Sequence, residues 1–124
     1  MKVLGLMSGT SADGIDATLA EFKGNPRKPK WKIIKHINYE YSYNLKKNIL
    51  DISQGAKITC EELCTLSELI TESYFKAAKE CDPNDSAKVV GCHGQTLFHR
   101  PPQNSKHGIS WQLIKAPLLS IWLN

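Results

Sequence analysis

A dense turn, Gly9-Thr10-Ser11-Ala12-Asp13-Gly14, sits between two apolar runs and constrains this chain more than any other feature. Lys2 to Ser8 carries Val3, Leu4, Leu6 and Met7, and Ile15 to Phe22 is similarly apolar. Asp-Gly and small hydroxyl residues favour tight or left-handed backbone. The two runs therefore read as strands of a hairpin with a polar tip. Gly24-Asn25-Pro26 and Pro29 mark a second turn, and Lys30 to Tyr41 follows as a third strand. Strict alternation places Trp31, Ile33, Ile37, Tyr39 and Tyr41 on one face of it, with Lys32, His36, Asn38 and Glu40 on the other.

Beyond that strand the period changes. Asn44 to Ile52 reads as a short helix with Leu45, Ile49 and Ile52 inward, ended by Gly55. Thr59-Cys60-Glu61-Glu62 supplies a capping box for a longer helix, whose stripe is Leu63, Leu66, Ile70, Tyr74 and Ala78. It stops before Asp82-Pro83-Asn84-Asp85, after which Lys88 to Cys92 is a short apolar strand running into a loop at His93-Gly94-Gln95-Thr96. Three short-linked strands are most simply antiparallel, and a strand reached through a helix is naturally parallel to its neighbour. The expected class is α/β, ordered β-β-β-α-β around a mixed sheet. The last stretch, Pro117 to Leu123, is apolar with nothing after it to cover it, so the chain is expected to end in mid-domain.

Composition narrows the function. At 124 residues, 41% hydrophobic and 23% charged, the chain has the balance of one globular domain rather than a disordered or collagen-like segment. Its net charge of +4 is mild and partly local, with Lys23, Arg27, Lys28, Lys30, Lys32 and Lys35 in one short stretch that reads as a solvated loop and strand face. A nucleic-acid surface would want more charge with aromatics interleaved. No run approaches a membrane span, and Gly5, Ser8 and Gly9 interrupt the N-terminal apolar run too early for a signal-peptide core. Four cysteines without such a leader point to reduced thiols and a cytoplasmic protein. Cys60 and Cys64 stand at i,i+4 spacing, but no Cys-x-x-Cys or His-x-x-x-His partner accompanies them, so no metal site is expected.

Two segments carry candidate chemistry. At the hairpin tip, small residues let backbone amides approach an anion, and hydroxyls add hydrogen bonds; consecutive turn amides can form an anion nest. Asp13 and Asp16 can hold magnesium, directly or through water, beside a polyphosphate. The tip lacks the Gly-Lys-Ser/Thr of a Walker loop and does not open a helix as a dinucleotide fingerprint does. A plain polar hairpin fits the composition equally well. The second segment, His93 to Pro101, follows the carboxyl end of the expected parallel strand, where open α/β sheets place their ligands. Gln95 and Thr96 suit sugar hydroxyls; His93, His99 and Arg100 suit a carboxylate or phosphate. A structural role for each remains open.

Together these segments carry a resemblance. Gly5-Leu6-Met7-Ser8-Gly9-Thr10-Ser11-Ala12-Asp13-Gly14-Ile15-Asp16-Ala17 is similar to the opening signature of the anhydro-N-acetylmuramic acid kinases. His93-Gly94-Gln95-Thr96, His99-Arg100-Pro101 and Ser110-Trp111-Gln112-Leu113 resemble that family's next blocks, in the same order. The resemblance implies the N-terminal lobe of a sugar kinase with the actin, hexokinase and heat-shock-70 (ribonuclease H-like) fold. It further implies ATP and Mg2+ as cofactors and 1,6-anhydro-N-acetylmuramic acid as substrate. In such enzymes an aspartate activates water to open the anhydro bridge, and the freed 6-oxygen takes the γ-phosphoryl group. Carried over by residue, Gly9, Thr10, Ser11, Ala12, Asp13, Gly14, Ile15 and Asp16 form the ATP-phosphate hairpin. His93, Gly94, Gln95, Thr96, His99 and Arg100 line the sugar side. The family's aspartate is expected beyond Asn124, with the second lobe, so no catalytic base is assigned and residues 1–124 are expected to be an inactive N-terminal fragment. The alternative is a non-catalytic nucleotide-binding or interaction fragment, able to self-associate through its exposed C-terminal edge.

Overall fold

A computed structural model describes residues 1–104 and 106–124. Strands β1 (Lys2–Met7), β2 (Gly14–Lys23) and β3 (Lys30–Glu40) form an antiparallel meander, as their short turns dictate. Helices α1 (Tyr43–Ser53) and α2 (Cys60–Cys81) follow, and then β4 (Val89–Cys92) returns parallel to β1. The sheet order β3-β2-β1-β4 is the mixed sheet expected from the element order.

Strand alternation gives this sheet two unlike faces. Leu4 and Leu6 of β1 pair with Leu19 and Ala17 of β2, and all four are buried with Ile15 against the helices. From α1 come Leu45 and Ile49, and from α2 come Leu66, Ile70, Tyr74, Ala77, Ala78 and Cys81. Hydrophobic burial on this one face supplies most of the driving force for the fold.

Capping explains where the helices begin. Ser42 accepts the Leu45 N–H at the start of α1. At α2 the expected capping box is complete: Thr59 Oγ1 accepts the Glu62 N–H at 3.1 Å, and Glu62 Oε2 accepts the Thr59 N–H at 2.7 Å. Those bonds hold the Glu62 carboxyl below its ordinary range. After α2, Asp82 shapes the turn into β4 by accepting the Ala87 N–H at 2.7 Å and the Ser86 hydroxyl at 2.8 Å.

Three sequence expectations need correction. The alternation of β3 breaks at a bulge: Ala20 pairs with Ile33 and Leu19 with Lys35, which leaves Ile34 as the extra residue. The bulge inverts the pattern, so Trp31 and Ile33 share a face with Phe22 and Ala20, opposite Ile37 and Tyr39. Second, the segment after His93 is not a loop. Gln95–Arg100 is strand β5, paired antiparallel with β6 (Ile109–Leu113) in a separate two-stranded sheet. Third, the apolar tail is partly covered. Ala116–Leu123 is helix α3, which buries Leu119 and sets Trp122 edge-on to Phe75 of α2, with ring centroids 5.9 Å apart. Thr71 of α2 anchors its start, its Oγ1 accepting the Lys115 N–H at 3.0 Å. Ile121 stays exposed.

Candidate functional site

The hairpin tip is a tight turn in which the Ala12 N–H donates to the Gly9 carbonyl at 3.4 Å. Ala12 closes it with φ of 51° while fully buried. A left-handed alanine costs about 1 kcal/mol, so surrounding contacts must hold it there. Gly9, Thr10, Ser11 and Asp13 are exposed around it. Gly14 is needed for a different reason: a Cβ there would stand 2.3 Å from the Tyr39 carbonyl oxygen of β3.

The two aspartates part company at this tip. Asp13 forms an ion pair with Lys46 of α1. That lysine, as hydrogen-bond donor and as charge, together with the Ser11 side chain, holds the Asp13 carboxyl below its ordinary range. Asp16 instead lies on the sheet face away from the core, among β3 side chains. Asn38 Nδ2 donates to Asp16 Oδ1 at 3.2 Å, and His36 Nε2 lies 3.8 Å from the same oxygen. The His36 ring is steadied by Thr18, whose Oγ1 is 2.8 Å from Nδ1. Neither Lys46 nor the group of Thr18, His36 and Asn38 was singled out by sequence reasoning. The one readable signal was that His36 and Asn38 alternate on β3.

The second segment meets the first at its beginning and leaves it at its end. Gly94, with φ of +81°, turns the chain from β4 into β5, and a Cβ there would press on Ile114 at 3.0 Å. Gln95 is fully buried; its Nε2 donates to the Gly9 carbonyl at 2.9 Å and to the Thr96 carbonyl at 3.0 Å. Ser8 Oγ reaches the Gly94 carbonyl at 3.2 Å and the Tyr74 hydroxyl at 2.5 Å. Thr96 is buried beside them, and His93 is exposed with its Nδ1 3.0 Å from the Gly94 carbonyl. His99 and Arg100 are four and five residues further along β5, roughly 13–17 Å from Gln95 at strand rise. There Arg100 Nη2 donates to the His107 carbonyl at 3.3 Å. The structure thus ties Gly9 to Gln95 directly, ties Ser8 to Gly94, and carries His99 and Arg100 away along β5.

The tip exposes the Thr10 and Ser11 hydroxyls with the Asp16 carboxylate beside them on the open face, and among the described residues no three His, Cys, Asp or Glu side chains cluster as a metal site. The apolar groove of about 700 Å³ between α2 and α3, lined by Leu69, Phe75, Leu118 and Trp122 among others, shares no residue with the tip.

The sequence model of the anhydro-N-acetylmuramic acid kinases matches residues 1–121, which includes both segments. The chain belongs to that family. A protein named anhydro-N-acetylmuramic acid kinase from Prochlorococcus marinus (strain MIT 9211) is 54% identical over 124 residues, covering 100% of this chain and 33% of that protein. Kinases of the same name from Prochlorococcus marinus (strain NATL1A) and Synechococcus sp. (strain CC9902) are 53% and 48% identical over 120 residues, 97% of this chain and 32% of each relative. The chain therefore spans about a third of the length of the curated relatives it matches. Among the described residues, no helix is long and apolar enough to cross a membrane.

Proposed function

We propose that residues 1–124 are the phosphate-binding and sugar-orienting part of an ATP-dependent kinase acting on 1,6-anhydro-N-acetylmuramic acid. The observation that carries this is the Gln95 to Gly9 bond, which sets the polar hairpin tip against the start of β5 within a chain of this family. Supporting it, the antiparallel meander, helices and parallel β4 form a mixed sheet, and we assign residues 1–124 to part of an actin- and hexokinase-like N-terminal lobe. Bound Mg·ATP would supply the phosphoryl group. Gly9, Thr10, Ser11, Ala12, Gly14 and Ile15 would shape its phosphate cradle, and Asp16 would face the magnesium. Asp13, already engaged by Lys46, would hold the tip to α1. His93, Gly94 and Thr96 would line the sugar side, with His99 and Arg100 reaching the site only through movement of the β5–β6 hairpin. Positioning and charge neutralisation are most of what phosphoryl transfer asks of a protein. We assign no catalytic base here, and expect these residues taken alone to bind nucleotide without turning it over, in the cytoplasm.

A chimera tests this reading, with residues 1–124 replacing the aligned third of the Prochlorococcus marinus MIT 9211 relative. Transfer of labelled phosphate from ATP to the anhydro sugar, in preference to a panel of other sugars, is the expected outcome. A folded chimera that transfers none, beside an active parent, would overturn it.

A second reading, a non-catalytic interaction fragment, draws on the exposed Trp31, Ile33, Val89 and Ile121. Light scattering after gel filtration separates the two, because a discrete stoichiometric oligomer of the chain alone would favour docking.

A further inference from the structure

The residues behind the tip are buried and polar and are joined by directional hydrogen bonds, which ordinary core packing does not require, although Gln95 Oε1 and the Tyr41 hydroxyl beside them have no partner among the described residues. Ser8 follows β1 immediately, and its hydroxyl has one proton for two neighbours. The Gly94 carbonyl can only accept, so Ser8 donates to it and accepts from Tyr74. That gives an oriented line, Tyr74 to Ser8 to Gly94, running from the middle of α2 to the β4–β5 turn. Gln95 adds a second link. Its amide spends both protons on carbonyls, one of which is the Gly9 carbonyl that also closes the turn at left-handed Ala12.

We infer that Tyr74 and Gln95 are positioning residues: through Ser8, Gly94 and Gly9 they brace the phosphate-side hairpin against the start of β5. Tyr74 is the fixed end, fully buried in the core on a 22-residue helix. Burial drives its phenol, and that of neighbouring Tyr41, well above the ordinary tyrosine range. A ligand that orders the hairpin tip is thereby felt at Gly94 and Gln95, and one that orders the β4–β5 turn is felt at Gly9. The role in ligand binding rests on the phosphate reading proposed above; the brace itself does not.

The test uses Tyr74→Phe, Ser8→Ala, their double variant and Gln95→Met in the 124-residue chain, with two readouts. In the ligand-free chain, amide hydrogen exchange at Ala12 and His93 should quicken about five-fold or more, the worth of one neutral hydrogen bond, while the Ile70 amide in α2 keeps its rate. For Mg·ATP, Gln95→Met should weaken binding by a similar factor, about five-fold. Tyr74→Phe and Ser8→Ala should each weaken it too, and the double variant should be no weaker than the worse single, because both cut one line. Exchange that rises equally at Ile70, additive losses, or unchanged affinity in a chain that binds Mg·ATP would overturn the inference. A wild-type chain that binds no Mg·ATP would overturn the phosphate assignment and the positioning role with it, and the exchange at Ala12 would still decide the brace.

Discussion

Leu4 and Val3 are neighbours in β1 with opposite surroundings: Leu4 packs in the core with residues of α2, while Val3 lies on the face that no helix covers. The same division runs through the whole sheet. On the helical side, Leu6, Ile15, Ala17 and Leu19 are buried among Leu66, Ile70 and Tyr74. On the open side, Trp31, Ile33 and Val89 are exposed, and toward the hairpin tip the face turns mostly polar with Asp16, Thr18, His36 and Asn38 around Met7. One backbone thus carries a folding face and a face that is polar near the tip and apolar at the far end, roughly 20 Å away along β2. Stability belongs to the first face, and the proposed phosphate site lies on the rim they share.

The largest expected effects break that contrast directly. Ile15→Ala on the buried face should lower unfolding free energy by about 2–5 kcal/mol in urea titrations, through lost transfer energy and the cavity left behind. Ile33→Ala, on the open face, should change it by less than about 0.5 kcal/mol. Comparable losses at both positions would mean that something covers the open face in solution. Next comes Gly14→Ala, where the new Cβ meets the Tyr39 carbonyl; about 1–3 kcal/mol should be lost as β2 and β3 are forced apart.

Asp82 holds the turn beyond α2 through its charge. Burial alone would raise its pKa, but the Ala87 N–H, the Ser86 hydroxyl and backbone, and the charge of Lys2 outweigh that and lower it. A carboxyl lowered on folding stabilises above its unfolded pKa, about 3.9, and loses that contribution as pH falls through its folded value. Asp82→Asn should therefore cost about 1–3 kcal/mol at pH 7. The gap from wild type should close in unfolding curves taken below pH 3.9. The smallest effect is chemical. Cys60 and Cys64 are exposed, whereas burial raises the thiols of Cys81 and Cys92. A thiol reagent followed by mass spectrometry should label Cys60 and Cys64 first, with Cys81 last.

Local signals made much of the fold legible. Turn residues delimit β1, β2 and β3, the Thr59–Glu62 box starts α2, and the helical crossover makes β4 parallel. What escaped depends on contacts far apart in sequence or on a single inserted residue. Nothing at Ile34 announces a bulge, because alternation read from either side looks intact. Strands β5 and β6 are separated by Pro101-Pro102 and a polar stretch that look like punctuation. The same holds at the candidate site. Gly9, Ser11, Asp16, His93 and Gln95 stand out by residue type. Lys46 beneath Asp13 and Tyr74 behind Ser8 join from 33 and 66 residues away and read locally as an ordinary helix lysine and a core aromatic. Gln95 was legible as important, but its inward direction, onto the Gly9 carbonyl, was not.

The exposed tip between β1 and β2 is the proposed seat of a nucleotide's phosphates. Mapping backbone amide shifts of the 124-residue chain during a titration with Mg·ATP tests that assignment most directly. Saturable shifts are expected to concentrate at Gly9 to Asp13 and at Asp16, with smaller ones at Gly94 and Gln95. Saturable shifts confined to the α2–α3 groove around Phe75 and Trp122, with the tip unmoved, would contradict the assignment.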